Sequence, residues 1–214
     1  MGKIIFVSGI DTDIGKTVAT GFYAQRLMAQ GYSVITQKMI QTGCRGVSSD
    51  ILQHRQMQNM ALTEEDKASI TCPYLFEYPC SPHLAAEREN RVIEPAKISR
   101  ASQLLAEKYD YVLLEGAGGL AVPYDAHQTT LDYIIAQKLP LILVTSGRLG
   151  SINHTLLSLM VCQQKQIPLV SLIYNSYPPT DEVIHQSTLN YFKNYMERYF
   201  PQAELLVMGK QELC

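Results

Sequence analysis

The stretch Gly9-Ile10-Asp11-Thr12-Asp13-Ile14-Gly15-Lys16-Thr17 sets a lysine and a hydroxyl at the end of a glycine-bounded loop. It follows the apolar run Lys3-Ile4-Ile5-Phe6-Val7-Ser8 and opens into a helix-forming segment. A strand that ends in such a turn and restarts as a helix aims successive backbone N–H groups, with the positive end of the helix dipole, at one point. An anion belongs there. Lys16 would bridge outer phosphates, and the Thr17 hydroxyl would give one oxygen to a Mg²⁺ that keeps several waters. The usual phosphate loop has four residues before Gly-Lys-Ser/Thr, whereas five intervene here and two are the acids Asp11 and Asp13. Carboxylates facing the phosphates would repel them, so both acids are expected to present backbone to the ligand and turn their side chains elsewhere. Thr12, between them, could then face a second substrate.

Further charged groups close other apolar runs. Lys38 ends the second run and precedes Met39-Ile40-Gln41-Thr42-Gly43, which brings an ammonium beside the loop. Glu115 follows Tyr111-Val112-Leu113-Leu114 and leads into Gly116-Ala117-Gly118-Gly119. A carboxylate there is costly to bury unless a cation or metal pairs with it, and the thin backbone after it permits close approach of a ligand. Asp50 is either another magnesium-facing acid or a helix cap, and its pattern does not separate the two. The fourth run ends in Ser146-Gly147-Arg148-Leu149-Gly150 and continues as Ser151-Ile152-Asn153-His154, a helix start and hence a second anion site. Asn175, before Ser176, offers an amide to a base edge. His83 and His154 lack an obvious partner acid and nucleophile, so packing or capping is the favoured reading.

The elements that must position these residues follow from the apolar pattern. Short buried-strand runs fall at 4–8, 33–38, 111–115, 140–146, 168–175 and 205–208, and helical patterns at 16–30, 50–60, 95–108, 131–138, 151–166 and 181–199. Strand and helix alternate, so the expected fold is α/β, one parallel sheet with helices on both faces. Ligands of such sheets bind beyond the carboxyl ends of the strands, where the charged groups lie. Residues 44–91 are the least readable, and Tyr191, Phe192, Tyr195, Met196 and Tyr199 form a stripe expected to be core or dimer contact.

Composition narrows the partners. With 214 residues, 46% of them hydrophobic, the chain suits one well-buried domain. Its formal net charge of −2 and its lack of a basic run give nucleic acid no electrostatic support. Cys44, Cys72, Cys80, Cys162 and Cys214 form no CxxC pair or even framework, which reads as reduced thiols and no zinc site. No signal segment or membrane-length apolar stretch is present, so a soluble cytoplasmic protein is expected.

Taken in order, the loop 9–17, the segment 38–43, Ser81-Pro82-His83, the run 115–119 and Leu149-Gly150-Ser151-Ile152-Asn153-His154 resemble dethiobiotin synthetase. That family comprises ATP-dependent carboxylases that close the ureido ring late in biotin biosynthesis. The resemblance implies a P-loop NTPase-type sheet of about seven strands, a homodimer with active sites at its interface, and the substrates 7,8-diaminopelargonate, CO₂ and Mg·ATP. It implies that Lys38, Lys16 and Thr12 serve catalysis. ATP would be bound by Asp13, Ile14, Gly15, Lys16, Thr17 and Val18, with Asp50, Glu115, Gly116, Ala117, Gly118, Asn175 and Ser176. The metal would meet Thr17, Asp50 and Glu115. The diamine would meet Thr12, Lys38 and Thr42, and its carboxylate would meet Gly150, Ser151 and Asn153 of the neighbouring subunit. The chain departs from the family pattern in having Met39 for proline, Thr42 for serine and Ser176 for an acid. The rival readings are a partitioning-type ATPase switch, a cobyrinate-type amidoligase and a catalytically silent nucleotide-binding paralogue. The switch usually carries an early second lysine where Ile10 and Asp11 stand, and the amidoligase normally carries a glutaminase domain for which there is no room.

Overall fold

A computed structural model describes residues 1–179 and 181–211. Six strands form one parallel sheet: β1 Lys3–Gly9, β2 Val34–Lys38, β3 Tyr111–Gly119, β4 Leu141–Ser146, β5 Leu169–Asn175 and β6 Glu204–Met208. Among the described residues eight helices accompany them: α1 Lys16–Ala29, α2 Ser49–Met57, α3 Glu64–Lys67, α4 Pro82–Arg88, α5 Pro95–Ala106, α6 Thr130–Gln137, α7 Ser151–Gln164 and α8 Glu182–Tyr199. All six apolar runs are strands. The sheet among the described residues has six strands, fewer than the roughly seven implied by the resemblance. Along the outer edge of β2, residues 71–76 make only one parallel bridge, Gln41 to Leu75. Pro73 within that segment has no N–H to give a ladder.

Alternate strand residues serve opposite faces, as the pleat requires. Ile5, Val7, Leu113, Ile142, Val144 and Ile173 pack with Ala19, Tyr23, Ala24 and Leu27 of α1. Phe6, Leu114, Leu141, Leu143, Leu172 and Tyr174 pack with Ile98 of α5, Tyr133 of α6, Leu159 of α7 and Phe192 and Met196 of α8. The expected stripe on α8 therefore divides: Phe192 and Met196 are core, while Tyr191 and Tyr199 remain exposed.

Strand order is β2-β3-β1-β4-β5-β6. From β1 the chain moves outward to β2 and fills the gap with β3, then places β4 on the other flank of β1. That reversal opens a crevice at the carboxyl end of β1, where the phosphate loop begins. β3 runs to Gly119, four residues past its expected end, because Gly119 pairs with Gly9 across a register shift. A Cβ on Gly119 would lie 3.3 Å from the Gly9 carbonyl oxygen, so two backbones meet there without side chains between them.

Within residues 44–91, a buried ion pair organises the stretch from α2 to Thr71. Arg55 of α2 reaches both carboxylate oxygens of Asp66 at 2.8 Å and also donates to Thr36 and Gln58, while Asp66 accepts from the Thr63 N–H and the Thr71 hydroxyl. Burial alone would raise the Asp66 pKa, but Arg55 and Thr71 hold it below the usual carboxylate range. The pair ties α2 and α3 to β2, and so steers the helix that carries Asp50.

Candidate active site

Ile10 closes the end of β1 by donating its N–H to the Val144 carbonyl, and the loop then rises to α1. Gly15 is the N-cap of α1 with φ 89°, and no side chain caps the helix, so its first N–H groups face the crevice. A Cβ on Gly15 would lie 2.6 Å from Asn175 Nδ2, so glycine is required by both conformation and space. Asp13 also adopts positive φ, which an aspartate tolerates. Asp11 does turn its side chain away: it ion-pairs with Arg148 and accepts from the Thr12 N–H at 2.7 Å. Its carbonyl oxygen instead accepts from Lys16 Nζ at 2.6 Å.

Lys16 is buried beside a second ammonium. Burial first, and repulsion by Lys38 next, lower its pKa from 10.5 to about 8. Lys38 Nζ lies 2.8 Å from Glu115 Oε1, 2.5 Å from Asp50 Oδ2 and 3.1 Å from the Gly116 carbonyl oxygen. Burial opposes its charge, but Glu115 and then Asp50 outweigh burial and raise its pKa. Glu115 is fully buried, yet Lys38 and His54 overcome desolvation and keep its carboxyl ionised well below the usual range. Its Oε1 also accepts from the Thr17 hydroxyl at 3.1 Å, and its Oε2 meets His54 Nε2 at 2.9 Å. Asp50 does not cap α2; Ser48 does, accepting from the Ile51 N–H. Met39 donates its N–H to the Glu115 carbonyl oxygen at 2.8 Å, a bond that proline at this position lacks.

These groups line a cleft of about 780 Å³. It gathers Thr12, Asp13, Gly15, Lys16, Thr17, Val18, Lys38, Thr42, Asp50, Glu115, Ala117 and Gly118. Ile14 lies in the core beneath the loop, and Gly116 is buried against Phe6. Asn175 sits under the loop, donating to the Ile14 carbonyl and accepting from the Tyr177 N–H, while Ser176 bonds the Met208 carbonyl. In this arrangement Asn175 supports the loop. Gly150, Ser151 and Asn153 are not among the cleft's lining residues. The N-cap of α7 is Gly150; Ser151 is buried against Ser146, and Asn153 is exposed. Sequence reasoning missed Gln41, Gln53, Cys80 and Val122 on the cleft wall, and His54 below its floor. His54 had one usable signal, its spacing of four from Asp50 on the same helix face. Ser81 and Pro82 line the wall, whereas His83 carries a buried Nδ1 with no partner among the described residues.

Cys72 and Cys162 are buried, and burial raises both thiols to about 12. Among the described residues Cys44, Cys72, Cys80 and Cys162 are free, and Cys214 lies outside them. No described helix is long and apolar enough to cross a membrane.

A parallel sheet with a phosphate loop at its switch point, its lysine and threonine backed by a carboxylate, defines a P-loop NTPase-type nucleotide-binding protein. The chain matches the family described as an AAA domain over residues 3–203. It is 70% identical to the ATP-dependent dethiobiotin synthetase BioD 2 of Haemophilus ducreyi, covering 99% of this chain and 100% of that one. It is 62% identical to the BioD 2 protein of Pasteurella multocida, covering 97% and 98%. A solved structure of a putative plasmid partition protein from Borrelia burgdorferi, bound to AMPPNP, superposes with TM-score 0.60 at 14% identity, over 99% of this chain and 86% of that one. The last likeness concerns the fold alone. The chain belongs to the ATP-dependent dethiobiotin synthetase family.

Proposed function

We propose that this protein carboxylates 7,8-diaminopelargonate with CO₂ and closes the ring to dethiobiotin, converting ATP to ADP and phosphate. The observation that carries the reading is the floor of the cleft, where Lys38 Nζ is held at 2.8 Å from Glu115 and 2.5 Å from Asp50, next to the phosphate-loop lysine. One amine of the diamine takes up CO₂ and loses a proton to give a carbamate. A carbamate oxygen attacks the γ-phosphorus of ATP and ADP leaves. The second amine then attacks the carbonyl carbon of the mixed anhydride, expelling phosphate and losing a proton. This chemistry asks for positioning and charge neutralisation rather than a side-chain nucleophile. Lys16 neutralises the transferring phosphoryl group, Lys38 faces the carbamate oxygens, and Thr12 and Thr42 orient the diamine from the cleft wall. The enclosing wall limits access of water to the anhydride.

The donors suit Mg²⁺: one hydroxyl, Thr17, and two carboxylates, Asp50 and Glu115, all hard oxygens, with Thr17 only 3.1 Å from Glu115. Among the described residues no group of three or more His, Cys, Asp or Glu could hold a metal alone. That agrees with an ion that takes most of its ligands from phosphates and water. Bound there, Mg²⁺ would offset charge on the β- and γ-phosphates. Asp13, Ile14, Gly15 and Val18 would cradle the phosphates with Gly116, Ala117 and Gly118 opposite, and Asn175 and Ser176 would border the base.

The single domain would act as a homodimer in the cytoplasm. The start of α7 supports this, because Leu149 is 97% exposed beside Gly150 and Asn153, which lie off their own chain's cleft. They are available to the substrate carboxylate of a partner copy. ATP hydrolysis measured with and without 7,8-diaminopelargonate and bicarbonate, followed by mass analysis of the product, tests the proposal. Diamine-dependent turnover yielding dethiobiotin is expected; diamine-independent hydrolysis, or none, refutes it.

A further inference from the structure

His54 is 0% exposed on α2, four residues after Asp50, with Nε2 2.9 Å from Glu115 Oε2. Its Nδ1 is buried and has no hydrogen-bond partner among the described residues. An ionised carboxylate only accepts, so the ring donates from Nε2 to Glu115 Oε2. A leucine would fill the same space with no orphaned polar atom, which makes packing alone a poor account of an imidazole here. The consequence lies on the other oxygen: Glu115 Oε1 serves both Lys38 Nζ at 2.8 Å and Thr17 Oγ1 at 3.1 Å. A carboxylate held through one oxygen can pivot about its terminal bond, and a donor on Oε2 stops that pivot.

We infer that His54 is a positioning residue that locks the Glu115 carboxylate plane, so that Oε1 stays aimed at the lysine and the metal-facing threonine. The inference rests on the proposed metal-facing role of Glu115. The test measures Mn²⁺ binding to the full-length protein with saturating ADP, by the loss of the free-ion electron paramagnetic resonance signal. Four proteins are compared: parent, His54→Leu, His54→Gln and Glu115→Gln. His54→Gln keeps an N–H donor near the Nε2 position, and His54→Leu keeps only the volume.

His54→Leu is expected to weaken Mn²⁺ binding about tenfold or more, in the range seen when the partner of a metal-facing group is lost. His54→Gln should stay within about threefold of parent. Should His54→Leu not fold, His54→Asn replaces it, because its shorter amide falls short of Glu115 while remaining polar. Parent-like affinity in the donor-less variant, or equal losses in it and in His54→Gln, overturns the inference. If Glu115→Gln loses binding while the donor-less variant does not, His54 alone is misassigned. If Glu115→Gln binds Mn²⁺ as the parent does, the metal-facing role of Glu115 falls, and this inference with it.

Discussion

Raising the pH from 7 to 9 should weaken ATP binding about tenfold, through one lysine. Burial and the neighbouring Lys38 set the Lys16 pKa at about 8. About nine-tenths of the molecules then carry a charged Lys16 at pH 7 and about one-tenth at pH 9, a ratio near ten, or about 1.4 kcal/mol of binding free energy. ATP does not blur the result, because phosphate-type second ionisations lie near pH 6. The sign is fixed by charge: the polyanion binds the protonated form, so affinity is flat below about pH 8 and falls above it. The stability of the fold runs the other way. Its Lys16 pKa is depressed from 10.5 to about 8, so the unfolded chain holds the extra proton between those values, and this lysine's destabilising effect fades as pH rises through that window. Calorimetric titration with Mg·ATP at pH 7, 8 and 9 checks the first trend. In Lys16→Arg, whose guanidinium stays charged, affinity should be flat across the same range. Parent affinity that is flat from pH 7 to 9, or a Lys16→Arg slope equal to the parent's, refutes the reasoning.

Lys38→Gln should lower kcat about a hundredfold, by removal of a cation aimed at developing negative charge; the glutamine keeps a donor between Glu115 and Asp50, and steady-state kinetics with a thermal melt would expose near-normal turnover in a folded variant as disproof. Asn153→Ala should raise the KM for the diamine several-fold and leave that for ATP unchanged, and equal effects on both would count against a carboxylate site at the start of α7. Asp66→Ala should destabilise the fold by about 3–5 kcal/mol, because it leaves the Arg55 guanidinium buried and unpaired; urea unfolding measures the loss. Because the Asp66 pKa lies below its ordinary value, its stabilising share is complete above the usual carboxylate range and declines as pH falls through and below it. Iodoacetamide at pH 8 should modify Cys44 and Cys80 well before Cys72 and Cys162, whose thiols stay protonated until about pH 12; early labelling at Cys72 in peptide mass analysis would contradict the packing around it.

The chain order alone determined the strands, their parallel arrangement and the phosphate loop. Those features arise from local patterns: continuous apolar runs, helical periodicity, and a glycine-bounded turn whose residues are neighbours in sequence. Lys38 and Glu115 were also legible, because each stands where an apolar strand ends and a charge needs a reason. Residues 44–91 were opaque, and the order of α2 and α3 within them comes from Arg55 meeting Asp66, Thr36 and Gln58, contacts with no periodic trace. The surroundings of Asp50 were decided only by the fold: its sequence suited a cap as well as a metal-facing acid, and the structure gives the cap to Ser48 and sets Asp50 2.5 Å from Lys38. Asn175 turned toward Ile14 and Tyr177 because β5 ends directly beneath the loop, a proximity spanning 161 residues of chain. The partner of His54 became visible only when α2 was laid against the end of β3. A side chain's chemistry can be read from its type, but what it bonds to is set by which distant segment the packing brings within 3 Å.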